Sequence, residues 1–428
     1  MSGDGLALAG NYAYVANGYG GLSDTFIVGR DASFRNLLSV KNYITELTYG
    51  KSYRNTGKNV FGKTVYVRDV IDASSFDFDF PVKTKFVGDN GKFVVSSTAT
   101  VTQNTEFNNI AMDVSVAKGF NITGNNISFI DCDINYNFDA VADVGYIQSI
   151  LSNVNKACIF SSTASGIGNT TSRVNVNISK NRFTSSYEDR YAFVSFIATN
   201  TSHYHENIFI DDNSIITSAE SDDKRTAFAI TTDISDPYSD FGSLGTRLVN
   251  ASMSNNFCNK NQLLMISAAY NDSFKVVNMF VPVSVKINNN ICGAICYLTQ
   301  QDQANSTFNE EYKVYDKDNL LVIAGNNCKL IYCGTNTGFI NVETSFNRVI
   351  YDILSGASIY SASTIITKNN CSWIQIGVKN PTSYAYEVPM LEISSNKINA
   401  YVSSFLDDYY SGISSVNDGL IVDSISGT

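Results

Sequence analysis

The sequence predicts an all-β fold, a right-handed single-stranded parallel β-helix (a solenoid) with an N-terminal capping helix. Three observations support this prediction. A six-residue pattern, apolar-x-x-Asn-x-apolar, recurs along most of the chain, apolar and polar residues alternate around it, and the spacing between repeats varies. A unit of constant pattern and variable length is typical of stacked coils that are joined by loops of different length.

The fixed position of the pattern is an Asn, which we expect at a corner of each coil. The residues at this position are Asn125, Asn153, Asn181, Asn213, Asn256, Asn290, Asn326, Asn369 and Asn396, at spacings of 28, 28, 32, 43, 34, 36, 43 and 27. Asn tolerates a left-handed backbone better than other non-glycine residues, which suits a tight corner. Neighbouring rungs of a sheet lie about 4.8 Å apart, so these side chains can hydrogen-bond from rung to rung.

Alternating segments such as Val174–Ile178 and Val283–Ile287 precede the Asn. An alternation of period two predicts a strand with one buried and one exposed face. A minimal unit of about 28 residues holds three short strands and three corners, which favours a parallel β-helix.

Four cysteines occupy the sixth position of the pattern, where other repeats carry Ile127, Phe183, Ile215 or Ile398. They are Cys258, Cys292, Cys328 and Cys371. Cysteine at an aliphatic position indicates a small buried hydrophobe. The alternative, disulfides or a zinc site, requires a spacing or a secretory context that we do not find. We find no signal peptide, transmembrane run or lipidation motif, and we expect synthesis in a reducing cytoplasm.

The chain divides into three predicted parts. Residues 1–64 form an N-terminal extension with the capping helix, residues 65–398 form the parallel β-helix, and residues 399–428 form a C-terminal cap or an oligomer contact. Apolar residues from Ser33 to Leu47 fall close to one helical face, with Ser33 or Asn36 as the cap and Gly50 as the stop. The residues on that face are Leu37, Leu38, Val40, Tyr43, Ile44 and Leu47.

The net charge of the chain argues against polyanionic partners. The net charge is −10, and only 16% of the residues are charged. An acidic surface disfavours binding to nucleic acid or to an anionic membrane. We expect no cofactor.

The Asn-bearing coils, the lid helix and the segments Asp77–Val82 and Val87–Gly91 together resemble pectate-lyase-like β-helices, specifically bacteriophage tailspikes. The resemblance covers about residues 30–400 and is architectural. The Tyr-Gly-Ala-x-Gly-Asp-Gly motif of tailspikes is absent, as are the Asn-Thr-Asp and Gly-His-Gly signatures of polygalacturonase-like hydrolases. No catalytic residue is therefore assigned by motif. The resemblance implies a homotrimer in a virion tail, together with other tail proteins, that binds and often cleaves capsule or O-antigen polysaccharide.

Glycoside hydrolysis requires two carboxyl groups on either side of one bond. Asp131 and Asp133 are two residues apart, a spacing that puts both on one face of a strand. The alternative is an ordinary solvated strand face.

A second cluster comes from aligning neighbouring coils. Glu188 to Val194 align with Asp223 to Ala229, which places Arg190 beside Arg225. The predicted catalytic acids here are Glu188, Asp189, Asp222 and Asp223, and the predicted substrate-binding residues are Arg190, Arg225, Tyr187 and Tyr332. Crowded acids raise one another's pKa, which keeps a proton donor available. The alternative is a salt-bridge network in a loop or a contact between subunits.

Two further groups resemble metal ligands. His203 and His205 form a His-x-His pair without a third ligand, and Asp233, Asp236 and Asp240 lack the spacing of a calcium loop. We predict no metal site.

The sequence supports three functional hypotheses. The first is a tailspike depolymerase that hydrolyses a bacterial surface polysaccharide with a carboxylate pair, with β-elimination as a less favoured reaction. The second is a non-catalytic virion protein, either receptor-binding or structural. The third is a secreted bacterial adhesin, which the missing signal peptide and the eight cysteines disfavour.

Overall fold

The computed structural model describes these ranges: 6–9, 12–15, 25–49, 62–138, 157–163, 173–185, 192–199, 204–217, 226–233, 250–259, 263–268, 284–299, 320–333, 341–350, 352–357, 363–378, 390–398 and 420–422. Within these ranges the chain is all-β apart from one helix, as the sequence predicted. Nearly every strand pairs in parallel with the equivalent strand of the next repeat, and long parallel sheets result. This arrangement is consistent with a parallel β-helix.

Three parallel sheets, which we call A, B and C, carry almost all of the strands. Sheet A contains β3 (Thr25–Val28), β4 (Lys63–Val67), β6 (Asp77–Gly88), β8 (Ala99–Asn108), β11 (Ile127–Ile130), β14 (Arg173–Ser179), β17 (Tyr204–Asp211), β20 (Asn250–Ser254), β23 (Ser284–Asn288), β25 (Leu320–Ala324), β28 (Asn341–Ser345), β31 (Ser363–Thr367) and β34 (Met390–Ser394).

Sheet B contains the shortest strands. They are β5 (Val70–Asp72), β7 (Lys92–Val95), β9 (Ala111–Val114), β12 (Asp133–Tyr136), β15 (Arg182–Ser185), β18 (Ser214–Thr217), β21 (Phe257–Cys258), β26 (Asn327–Cys328), β29 (Arg348–Val349), β32 (Asn370–Cys371) and β35 (Lys397–Ile398). Single-residue bridges through Ile291 join β21 to β26.

Sheet C joins sheet A through the long strands β6 and β8. Its other strands are β10 (Lys118–Ile122), β13 (Cys158–Thr163), β16 (Ala192–Thr199), β19 (Thr226–Asp233), β22 (Leu263–Ala268), β24 (Ala294–Thr299), β27 (Leu330–Cys333), β30 (Asp352–Ala357), β33 (Trp373–Val378) and β36 (Leu420–Val422). Separately, β1 (Leu6–Ala9) and β2 (Tyr12–Val15) form an antiparallel hairpin.

One rung runs from a strand of sheet A through a corner into sheet B, then into sheet C, and returns to sheet A. Residues 341–357 supply β28, β29 and β30 in this order, and β31 then begins the next rung beside β28. Successive rungs at this point are only 21 and 22 residues long, measured between Asn326, Asn347 and Asn369. The minimal rung is therefore shorter than the predicted 28 residues.

A column of asparagines, all buried except the half-buried Asn396, occupies the corner between sheets A and B. It comprises Asn181, Asn213, Asn256, Asn290, Asn326, Asn347, Asn369 and Asn396. From Asn181 to Asn369, each Nδ2 donates to the Oδ1 of the next Asn at 2.9–3.1 Å. We call this column the Asn ladder.

The ladder also explains the apolar residue three positions before each Asn. The other Nδ2 hydrogen of Asn290 bonds the carbonyl of Met253, which is that apolar residue in the preceding rung, at 2.8 Å. Asn213 bonds the carbonyl of Ile178 in the same way at 2.9 Å. Each strand of sheet A from β14 to β34 ends two residues before its Asn, so its last inward side chain, three positions before the Asn, faces the core and forms the first position of the six-residue pattern.

The predicted ladder is wrong at Asn125 and incomplete near Asn347. Phe129 pairs with Ile178, so Cys132 and not Asn125 takes the position of Asn181, and the Cys132 N–H donates to the Asn181 side chain. Accordingly, Ile134 and not Ile127 aligns with Phe183. Asn347 does not fit the six-residue pattern because its repeat begins with Thr344 rather than an apolar residue. Asn153 lies outside the described residues.

The left-handed backbone belongs to the residue before each ladder position, which is held by Cys132 in the first of these rungs and by an Asn in the others, and not to the ladder residue itself. These residues are Asp131, Lys180, Asp212, Asn255, Asn289, Gly325, Phe346, Lys368 and Ser395, with φ between 56° and 69°. Each Asn directs both its side chain and its N–H along the column, as Asn290 does. The preceding residue makes the corner.

The core is continuous from the helix to the last rungs. Phenylalanines dominate its N-terminal half, where the rings of Phe107 and Phe129 stack at 4.5 Å between centroids. Further along, Cys258, Cys292, Cys328 and Cys371 are buried at the predicted sixth position. The prediction of core thiols is confirmed.

The helix α1 (Leu37–Tyr49) packs against β3 and β6 and contributes its buried face to the same core. Asn36 caps it, because the Asn36 Oδ1 accepts the Ser39 N–H at 2.9 Å. Leu38 was predicted on the buried face, but it is 59% exposed. Within the described ranges no helix has the length and apolarity needed to cross a bilayer.

Candidate functional site

The outer surface of sheet A carries a compact group of polar side chains on three neighbouring strands, β14, β17 and β20. The strand register arranges it in three columns of three: Asn175, Asn207 and Asn250; Asn177, Phe209 and Ser252; Ser179, Asp211 and Ser254. These side chains are at least partly exposed and alternate with buried Val176, Ile178, Ile208, Ile210, Ala251 and Met253. We call this group the polar face.

The size of the polar face follows from sheet geometry. Strands lie about 4.8 Å apart, and side chains two residues apart on a strand lie roughly 6.6 Å apart. The face therefore extends about 10 Å across the strands and about 13 Å along them. Amides and hydroxyls cover most of it, Phe209 supplies an aromatic ring, and Asp211 supplies the only charge.

Only one of the two carboxyl oxygens of Asp211 accepts hydrogen bonds from the described residues. Its Oδ1 accepts the Ser252 hydroxyl at 2.7 Å and the Ser254 N–H at 2.8 Å. The hydroxyls of Ser252 and Ser254 are themselves 2.9 Å apart. Among the described residues nothing donates to Oδ2. The carboxyl group thus has a fixed orientation and one oxygen available for a ligand.

The environment of Asp211 makes its carboxyl group harder to ionise than a free carboxyl group. Burial raises the pKa of this carboxyl above its ordinary value, and the negative charge of Asp212 acts in the same direction. The hydrogen bonds from Ser252 and Ser254 oppose the shift but do not cancel it. A half-buried acid with a raised pKa on an outer sheet surface is a feature of functional sites as well as of some structural networks.

A hydrogen bond between two Asn side chains orders another part of the polar face. The Nδ2 of Asn250 donates to the Oδ1 of Asn207 at 2.8 Å, so these two side chains are oriented before any ligand arrives. Groups held in place in advance lose less conformational entropy when they bind a ligand.

The acids Asp131 and Asp133 do not share a strand face, and this prediction is wrong. Asp131 has φ 57° at the corner, while Asp133 begins β12 in sheet B. The chain turns between them because Cys132 occupies the ladder position. The Asp133 carboxylate lies 3.8 Å from the Arg182 guanidinium, and both side chains are more than half exposed, so the pair contributes little to stability.

Where β16 pairs with β19, the alignment predicted for these two segments is wrong by one residue. It paired Phe193 with Phe228, whereas in the structure Val194 pairs with Phe228 and both are buried. A shift of one residue moves every side chain to the other face of the sheet.

The other predicted residues of that cluster lie outside the described residues. They are Tyr187, Glu188, Asp189, Arg190, Asp222, Asp223 and Arg225, and their roles stay predictions. Tyr332 is described: it lies half-buried on β27, between Cys296 and Leu354 of the neighbouring strands. His203, Asp236 and Asp240 also fall outside the described part.

The buried cysteines are poor metal ligands, because a metal binds the thiolate and not the protonated thiol. Burial raises the pKa of Cys132, Cys158, Cys258 and Cys296 to about 12, which keeps the thiols protonated. Across the ranges that the structure describes, no three His, Cys, Asp or Glu side chains form a group suited to a metal ion.

Asp211 was not among the residues predicted from the sequence, although a signal was present. The residue after the first apolar position of each repeat is Ser179, Asp211, Ser254, Asn288, Ala324, Thr367 and Ser394 in successive matched repeats. Asp211 is the only acid in this series. A half-buried column that otherwise holds small uncharged residues makes a single acid conspicuous once the repeats are aligned.

Comparisons with protein-family models, with curated proteins and with solved structures find no match for this chain. The geometry of the polar face is therefore the basis for a functional interpretation.

Proposed function

We propose that this chain is a virion tailspike, a right-handed single-stranded parallel β-helix that binds and hydrolyses a bacterial surface polysaccharide, either capsule or O-antigen. The supporting observation is the polar face on sheet A. Amides, hydroxyls and one aromatic ring on a flat rigid surface suit a ligand made of hydroxylated rings, because each hydroxyl needs a hydrogen-bond partner and each ring presents apolar C–H groups.

The proposed hydrolysis requires a second carboxyl group in addition to the one that donates a proton. Glu188, Asp189, Asp222 and Asp223 stay the proposed catalytic acids, with Arg190, Arg225, Tyr187 and Tyr332 as proposed substrate contacts. Asp131 and Asp133 are not part of this proposal, because a corner separates them.

One observation favours a non-catalytic function as the second candidate. The polar face contains a single acid, Asp211, and therefore lacks the carboxylate pair of a glycoside hydrolase. A receptor-binding or structural virion protein would need only the binding surface.

Incubation with purified capsular and O-antigen polysaccharides distinguishes the two functions. Hydrolysis produces new reducing ends, β-elimination produces unsaturated products, and binding alone produces neither. Single amide substitutions at Glu188, Asp189, Asp222 and Asp223 then identify the acids. If cleavage survives every substitution, the proposed cluster is structural.

We also propose a homotrimer that associates with other virion tail proteins after synthesis in the host cytoplasm. Phe257 and Ile291 are 43% and 46% exposed and adjacent on sheet B, and an interface would remove this apolar surface from water. Light scattering should give the mass of three chains of 46.8 kDa each. A monomer mass at micromolar concentration would contradict the trimer.

A further inference from the structure

We propose that the polar face is the binding site for the polysaccharide and that the sugar unit it holds is uncharged, with a hydroxyl donating to Asp211 and a ring lying against Phe209. This inference rests on the proposed function and adds the location of the site and the class of the sugar.

The position of the free oxygen on Asp211 supports the first contact. Oδ1 is occupied by two donors from β20, which leaves Oδ2 as the acceptor for a ligand. An acceptor that is already oriented by Ser252 and Ser254 selects a donor, and a sugar hydroxyl is such a donor.

The arrangement of the columns supports the second contact. Phe209 lies in the central column between Asn177 and Ser252, and Asp211 is two residues further along the same strand. Ring and carboxyl are thus roughly 6.6 Å apart along the strand. One sugar unit can contact both.

The charge of the face supports the class of the sugar. The polar face contains one acid and no base, so a uronic or sialic acid bound there would place a second negative charge near Asp211 in a half-buried environment. The neighbouring cations Lys180 and Lys286 lie at the corner after β14 and on the next strand, β23, and both are exposed to screening by water and salt. An uncharged sugar avoids the repulsion entirely.

The test measures equilibrium binding of the full chain to a panel of purified bacterial polysaccharides, one half built from neutral sugars and the other half containing uronic or sialic acids. We expect the tightest binding among the neutral polysaccharides. Asp211→Asn and Phe209→Ala should each weaken it about tenfold or more, which corresponds to roughly 1.4 kcal/mol. Asn at position 211 keeps the Oδ1 acceptor for Ser252 and Ser254, so the fold should be retained.

Glu392→Gln is the matched control. Glu392 is an outward acid on β34 whose Oε1 accepts the Ser394 hydroxyl at 2.8 Å, much as Asp211 accepts Ser252, but it lies six rungs away. Its substitution should leave the affinity unchanged, and thermal melting of each variant checks the fold.

Three outcomes are distinguishable. Neutral binding that is lost in both polar-face variants and kept in the control supports the proposal. Binding only to acidic polysaccharides, or binding that neither variant weakens, overturns the site and the sugar class while polysaccharide binding itself stands. Absence of binding to every polysaccharide contradicts the proposed function and this inference together.

Discussion

At the scale of single residues, two neighbouring residues share the work at each ladder corner, whereas the six-residue pattern assigns both the amide and the left-handed backbone to the Asn. The Asn supplies the amide of the column, and the residue before it supplies the left-handed backbone. Sequence alone could not separate these tasks, because Asn suits both a left-handed backbone and a buried amide column. The observed series includes Lys180, Phe346 and Lys368, which have no preference for positive φ.

Lys180→Gly should therefore stabilise the protein. Lys180 has φ 59°, which strains a residue with a Cβ and does not strain glycine. After the larger entropy of glycine in the unfolded chain is subtracted, we expect a gain of about 0.5–1 kcal/mol in the free energy of unfolding. Lys180→Ala keeps the strain and should show no gain. An equal effect of Gly and Ala in denaturant titrations would show that the side chain, not the backbone, matters.

Asp211→Asn should change the pH dependence of stability. The pKa of Asp211 is raised above 3.8 in the folded state. Its protonated form therefore contributes stability that is fully present below 3.8 and is lost as the pH rises through the raised pKa. Asn carries no such charge, so the variant should gain stability relative to the parent as the pH increases from about 3.5 to about 7. A constant difference in urea midpoints over this range would contradict the raised pKa.

At the scale of elements, helix α1 was predictable because its signals are local. The apolar spacing and the cap residue lie within one short segment, and the structure confirms Asn36 as the cap. Only Leu38 was wrong, because helical geometry turns it about 100° away from Leu37, toward solvent. The predicted register of β16 on β19 was wrong by one residue, because it depends on loop lengths that no local pattern records.

Asn36→Ala should cost about 1 kcal/mol of stability, because it removes the acceptor for the Ser39 N–H and the Ser39 hydroxyl. Asn36→Asp and Asn36→Ser keep an acceptor and should stay within about 0.5 kcal/mol of the parent. Thermal melting of the three variants provides the comparison. Equal melting of the Ala and Asp variants would mean that the cap does not stabilise α1.

At the scale of the whole molecule, the repeat predicted the parallel stacking and the buried cysteines but not the rung lengths. Asn125 fits the six-residue pattern yet lies at another corner, where its carbonyl accepts the Asn104 N–H at 3.1 Å. The polar face could not be predicted in the same way, because its side chains belong to three rungs and share no residue type. Only the register between β14, β17 and β20 brings them together.

The core position of the thiols predicts low reactivity in the native protein. Among the side chains that the structure describes, seven cysteines are free and buried, and burial raises the pKa of four of them to about 12. At about pH 8 they should resist a thiol-specific reagent and react fully after unfolding in urea. Rapid modification of several thiols in the native protein would contradict the packed core.

The amide column of the Asn ladder holds the stacked sheets together. Asn290 is fully buried, and its side chain takes part in hydrogen bonds with Met253, Asn256 and Asn326. Asn290→Ala leaves several buried groups without partners, which should cost roughly 3 kcal/mol or more. Asn289→Gly removes the neighbouring amide, which is outside the ladder and has φ 56°, and should cost nothing.

The most direct test compares the urea unfolding curves of these two variants with that of the parent. The ladder predicts a much lower midpoint for Asn290→Ala and an unchanged or slightly higher midpoint for Asn289→Gly. Equal midpoints for the two variants would contradict the claim.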